Sequence, residues 1–138
     1  MSVQDCHLID LPRLGDARGG LCAVEAGQHI PFEIKRVYYL YGLPDGAVRG
    51  EHAHRELEQV YLALHGSFDV TLEDAAGAQV VRLDDPARGL YIGRNVWRRL
   101  DNFTPGAVCL VLASAHYSEA DYWRDKAAFL RDMAEPRR

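Results

Sequence analysis

The segment Arg49-Gly50-Glu51-His52-Ala53-His54-Arg55-Glu56-Leu57-Glu58-Gln59 joins two extended runs through a short polar connection. Side chains alternate across a β-strand with period two, so His52 and His54 share one face. After Glu58 the run Gln59-Val60-Tyr61-Leu62-Ala63-Leu64 reads as the next strand, and Gly66 closes it. A same-face imidazole pair near a carboxylate either binds a metal or carries acid–base chemistry.

The same pattern extends in both directions. Strands are predicted near Val3–Ile9, Leu21–Glu25, Val37–Leu43, Arg49–His54, Gln59–Leu64, Phe68–Glu73, Gln79–Leu83, Gly89–Ile92, Val96–Asn102 and Ala107–Ala113. Turn signals separate them, among them Gly15-Asp16-Ala17-Arg18-Gly19-Gly20, Leu43-Pro44-Asp45-Gly46, His65-Gly66-Ser67 and Asn102-Phe103-Thr104-Pro105-Gly106. Such punctuation marks an all-β sandwich or barrel. No helical crossover separates the strands, which argues against a parallel sheet. One helix is expected, at the C-terminus. Ser118-Glu119-Ala120-Asp121 has the form of a capping box, Trp123, Ala127 and Leu130 follow at helical spacing, and Pro136 would end the helix.

Composition narrows the function. The 138 residues fit one domain, read as residues 1–138. A net charge of −4 argues against non-specific nucleic-acid binding. No apolar run approaches the roughly 20 residues that span a bilayer, and the N-terminus lacks the form of a signal peptide. Cys6, Cys22 and Cys109 have no zinc spacing and suggest no disulfide framework, and a reducing cytoplasm fits them. Cys22 and Cys109 are expected to be buried in strands. Among the basic residues are 14 Arg and only two Lys. Guanidinium groups grip phosphate through a bidentate fork, so local arginine clusters are candidates for a diphosphate site.

Gly46, His52, His54, Glu58 and Gly66 resemble the first motif of the cupin superfamily, although the last gap is one residue longer than usual. The resemblance implies a double-stranded β-helix, a small jelly roll. Metal-dependent cupins take a further histidine ligand from a second motif, four residues before an Asn. Arg98 stands four residues before Asn102. A guanidinium has no lone pair to donate and repels a cation, so the expectation is no metal and no cofactor. An open two-His-one-Glu site is the alternative.

A narrower resemblance covers about residues 7 to 130. Asp16-Ala17-Arg18-Gly19-Gly20-Leu21, Ile34-Lys35-Arg36-Val37-Tyr38-Tyr39, the histidine segment, Gly89-Leu90-Tyr91-Ile92 with Trp97, Cys109–Ser114 and Tyr117-Ser118-Glu119-Ala120-Asp121-Tyr122 are similar to the nucleotide-sugar 3,4-ketoisomerases. The resemblance implies a metal-free enzyme that moves the ketone of dTDP-4-keto-6-deoxyglucose from C4 to C3, and a homodimer. His52 then matches the base at C3, His54 a relay or orienting residue, and Tyr38 a donor to the enolate oxygen. Arg18, Arg36 and Arg49 are candidates for the diphosphate and sugar. Glu58 would pair with a histidine or an arginine and set its charge. Arg98, where some members carry His, would lie at the substrate and favour an equatorial C4 hydroxyl in the product. A metal cupin, a dTDP-sugar 3,5-epimerase and a carbohydrate-binding cupin are the competing readings.

Overall fold

The computed structural model describes residues 2–135. Most of the chain folds into two five-stranded antiparallel sheets that face each other. The first has β1 (His7–Asp10), β9 (Arg88–Ile92), β6 (Gln59–His65), β11 (Val108–Ala113) and β4 (Arg36–Leu40) in that order. The second has β12 (Tyr122–Trp123), β5 (Arg49–His54), β10 (Trp97–Asp101), β7 (Phe68–Asp74) and β8 (Gly77–Leu83). A separate hairpin pairs β2 (Leu14–Asp16) with β3 (Gly19–Leu21). This is the expected jelly roll.

Period-two patterning builds the core. In β7, Phe68, Val70 and Leu72 turn inward and are buried, while Asp69, Thr71 and Glu73 do not. They meet Tyr61, Ile92 and Val111 of the first sheet in the space between the layers. Burying such an apolar side chain contributes about 1.5–3 kcal/mol. Strand β6 is covered on both faces, because Val60 and Leu62 pack outward under Ile30, Phe32 and Leu112. That double burial explains its unbroken apolar run.

Several predicted boundaries move. The N-terminal segment opens as a 3₁₀ turn, Val3–Asp5, because the Asp5 carboxylate accepts from the Ser2 backbone N–H, and the strand begins at His7. The strand expected over Leu21–Glu25 ends at Leu21; Cys22 beyond it is exposed, whereas Cys109 is buried. The largest correction concerns the helix. Ser118 starts only a 3₁₀ turn, Glu119–Asp121, and Tyr122–Trp123 pair with His54 and Ala53 as β12. The Asp121 carboxylate is not free to cap a helix, since it accepts from the backbone N–H groups of Glu56 and Leu57. Helix α1 runs Lys126–Ala134, with the Asp125 side chain accepting from the Ala128 N–H as its cap. Phe129 anchors it against Trp97 and Ala53. The expected stop at Pro136 lies outside the described residues.

Candidate active site

The two sheets leave a cavity of about 380 Å³ at one end of the barrel. Inward positions of β4 supply Arg36, Tyr38 and Leu40, two apart as the pleat requires. Strand β5 contributes Arg49, Gly50, Glu51 and His52 consecutively, which strict alternation would not allow. The pairing with β10 slips between Arg98↔His52 and Leu100↔Arg49, so β5 carries one extra residue. Gly50 sits at that bulge with φ of 70°, where a Cβ would lie 2.8 Å from Leu100 Cδ1. Tyr61, Tyr122 and Arg124 complete the polar wall.

His52 and His54 are 8% and 0% exposed, with ring centroids 4.7 Å apart, edge to face. Tyr122 packs on both rings at 4.9 and 4.4 Å. His54 Nδ1 lies 3.0 Å from Asp121 Oδ2. A carboxylate only accepts, so Nδ1 carries the proton and Nε2 keeps its lone pair. The Nε2 atoms of both histidines are buried without a partner among the described residues. Burial, followed by the positive charge of Arg98, pushes His52 down to about 2 and His54 to about 3. Both rings are therefore neutral at physiological pH, each with one nitrogen lone pair.

Arg98 is fully buried and directly opposite His52 across the β5–β10 pair. Its Nη1 donates to Gln59 Oε1 at 2.6 Å and its Nη2 to the Val96 carbonyl at 2.9 Å. No carboxylate pairs with it among the described residues. Gln59 Nε2 in turn donates to the Tyr38 hydroxyl at 3.1 Å. Arg36 stacks over the Tyr38 ring at 4.6 Å. Burial pushes the pKa of Tyr38 up, so the phenol keeps its proton. Arg124 is held by Glu119 and lies over Tyr122 at 4.1 Å. Arg36, Arg49, Arg98 and Arg124 give this end of the barrel a positive field suited to an anionic ligand.

The structure thus brings Tyr38, His52, Arg36 and Arg49 to the cavity, while His54 and Arg98, both expected at the site, are fully buried beside His52 and do not line it. It does not bring Glu58 or Arg18 to the cavity. Glu58 falls on the outward face of the chain entering β6, where it accepts from the Tyr91 hydroxyl and lies 4.0 Å from Arg94. Its neighbour Gln59 takes the inward position. Arg18 lies in the β2–β3 hairpin, exposed, with its Nη2 bonded to Asp16 Oδ2 at 2.6 Å. A metal set is therefore poorly served: the carboxylate is turned away from the imidazoles and a cation stands opposite His52.

Sequence reasoning missed Gln59 and Asp121 as members of the site. Gln59 was within the histidine segment, but the carboxylate beside it has the more familiar chemistry. Asp121 reads equally well as a helix cap, and only the fold brings it 67 positions along the chain to His54.

Comparison with known proteins finds relatives over nearly the whole chain. The family described as "FdtA: WxcM-like, C-terminal" matches residues 4–134. A TDP-4-oxo-6-deoxy-alpha-D-glucose-3,4-oxoisomerase from Aneurinibacillus thermoaerophilus is 43% identical over 128 residues, 93% of this chain and 92% of that protein. The crystal structure of QdtA, a sugar 3,4-ketoisomerase from Thermoanaerobacterium thermosaccharolyticum in complex with TDP, superposes with a TM-score of 0.92 at 39% identity, covering 95% of this chain and 96% of that one. A 3,4-ketoisomerase from Helicobacter canadensis gives 0.92 at 44% identity, over 95% and 98% of the two chains. With the match running from residue 4 to residue 134, this chain belongs to the FdtA, WxcM-like C-terminal family.

Proposed function

We infer that this protein is a nucleotide-sugar 3,4-ketoisomerase that converts TDP-4-keto-6-deoxyglucose to the 3-keto isomer without a metal or cofactor. The observation that carries the reading is a pair of neutral, buried imidazoles, of which His52 lines a cavity that also holds Arg36, Arg49, Arg124 and the phenol of Tyr38, with His54 packed against His52. An asparagine-for-histidine variant of the Thermoanaerobacterium relative has been crystallised with TDP-4-keto-6-deoxyglucose, which supports the same substrate here.

The chemistry follows from the substrate. The C3 proton is acidic because C3 lies α to the C4 ketone. His52 takes that proton, and the electron pair moves into the C3–C4 bond while O4 becomes an oxyanion. Tyr38, whose hydroxyl still has its proton to give, stabilises O4. A proton passes from O3 to O4 and the C3 carbonyl forms as a proton is delivered to C4. His54, oriented by Asp121, relays or orients during these transfers. Arg36 and Arg49 hold the diphosphate.

The enzyme works as a homodimer in the cytoplasm. Val37 and Tyr39, both exposed on the β4 edge strand of the first sheet, support the pairing. No helix among the described residues is long and apolar enough to cross a membrane.

Incubation with TDP-4-keto-6-deoxyglucose in deuterated water, read by NMR, tests the reaction. The expected product has its ketone at C3 and a proton or deuteron newly placed at C4. A retained C4 ketone with deuterium at C3 or C5 would identify an epimerase instead, and unchanged substrate would identify a binding protein.

A further inference from the structure

A polar chain lies behind Tyr38 and has no place in the proton transfers above. Arg98, Gln59 and Tyr38 are linked in series by two hydrogen bonds. Arg98 and Gln59 are both 0% exposed, so water does not compete for these groups. The direction of every bond in the chain is fixed by chemistry. A guanidinium has five donors and no acceptor, so the amide of Gln59 must turn its oxygen to Arg98. Its NH₂ then has to face the phenol oxygen of Tyr38, which becomes an acceptor. The single proton of Tyr38 is left to point elsewhere, and Tyr38 is one of the residues that line the cavity.

We propose that Gln59 is a positioning residue for the isomerisation: it transmits the fixed polarity of Arg98 to Tyr38 by donating to the phenol oxygen, which leaves the phenol proton to be donated to the substrate oxyanion. The proposal rests on the reading of Tyr38 as the oxyanion donor. It gives Arg98 a role that does not require contact with the sugar. It also accounts for a glutamine, not a glutamate, at this point of the site. A carboxylate at 59 would accept from both neighbours, draw the Tyr38 proton to itself and cancel the charge of Arg98.

The test is a double-mutant cycle of Gln59→Glu and Tyr38→Phe, with kcat and KM measured for each form. Gln59→Glu keeps the size of the side chain and gives Arg98 an ion-pair partner, so the fold is retained. Removing one oxyanion donor lowers kcat about 10²–10³-fold, and Gln59→Glu is expected to approach that loss with KM nearly unchanged. In the Tyr38→Phe background, Gln59→Glu should slow the reaction by no more than about threefold, because the two changes remove one interaction. A Gln59 that merely supports the fold would give multiplicative losses in the double variant. Such multiplicative losses, or a Gln59→Glu enzyme with wild-type kcat, would overturn the proposal. Wild-type turnover in Tyr38→Phe alone would instead remove the underlying reading of Tyr38. Should Gln59→Glu fail to fold, Gln59→Met enters the same cycle, and its loss must likewise vanish in Tyr38→Phe.

Discussion

Acidification should unfold this protein through its two buried histidines, His52 and His54. Both rings are neutral in the folded state, His52 pushed down to about 2 and His54 to about 3 from an ordinary 6.5, by burial first and the charge of Arg98 second. In the unfolded chain both return to the ordinary value. A group whose folded value is depressed below its unfolded one, and whose charged form is the protonated one, favours folding at high pH. Its contribution is complete above about pH 7.5 and is lost as pH falls through 6.5 toward the folded values. The hydrogen bond from His54 to Asp121 opposes this for one ring, but burial and Arg98 outweigh it. Between about pH 7.5 and 5 each ring withdraws about 2 kcal/mol, and the pair about 4 kcal/mol, from the free energy of unfolding. Native domains hold only about 5–15 kcal/mol, so the loss is easily seen. The range stops at pH 5 because Asp85 and Glu119, held at about 2 by Arg13 and Arg124, begin to contribute their own acid loss below it. Urea unfolding followed by tryptophan fluorescence at constant ionic strength gives the free energies, with the urea slope expected to stay constant. His52→Asn should remove about half of the pH dependence. Transition midpoints that stay level between pH 7.5 and 5, or a pH dependence untouched in His52→Asn, would show that the rings are not held neutral by the fold.

His52→Asn, assayed on TDP-4-keto-6-deoxyglucose, should lower turnover about 10²–10⁴-fold while TDP affinity measured by calorimetry changes little; near-normal turnover would move the base to another residue. Treatment with a chelator should leave turnover unchanged, and a loss restored by iron, manganese or zinc would reinstate a metal site. TDP at 100 times its dissociation constant should add about 2.7 kcal/mol to stability, and a melting temperature indifferent to millimolar TDP would contradict the nucleotide-sugar reading. Product NMR should show an equatorial C4 hydroxyl, with the axial fraction rising in Arg98→His as a second titratable group enters the site. An axial wild-type product, or an unchanged ratio in the variant, would show that the pose of the sugar outweighs the group at 98.

The amino-acid sequence by itself determined the layering, because alternation with period two is a local property of each strand. It is visible in Phe68-Asp69-Val70-Thr71-Leu72, and the predicted and observed bounds of β5 coincide at Arg49–His54. The same rule placed His52 and His54 on one face, and the lack of a lone pair on a guanidinium made Arg98 informative before any fold was known. What only the tertiary structure decided were relations between distant segments. Ser118 and Asp121 satisfy a local capping pattern, yet Asp121 is drawn to the backbone of Glu56 and Leu57 and to His54, and Tyr122 and Trp123 gain more from pairing with β5 than from helix. Glu58 and Gln59 are adjacent in the chain and fall on opposite faces, and the sheet's register decides which one reaches Arg98 and Tyr38 between the sheets. The bulge of β5 needs a glycine at position 50 because Leu100 leaves no room for a Cβ there, a constraint set by a strand 50 positions away. Local patterning is written along the chain; the choice among compatible patterns is made by contacts that exist only once the sheets have closed.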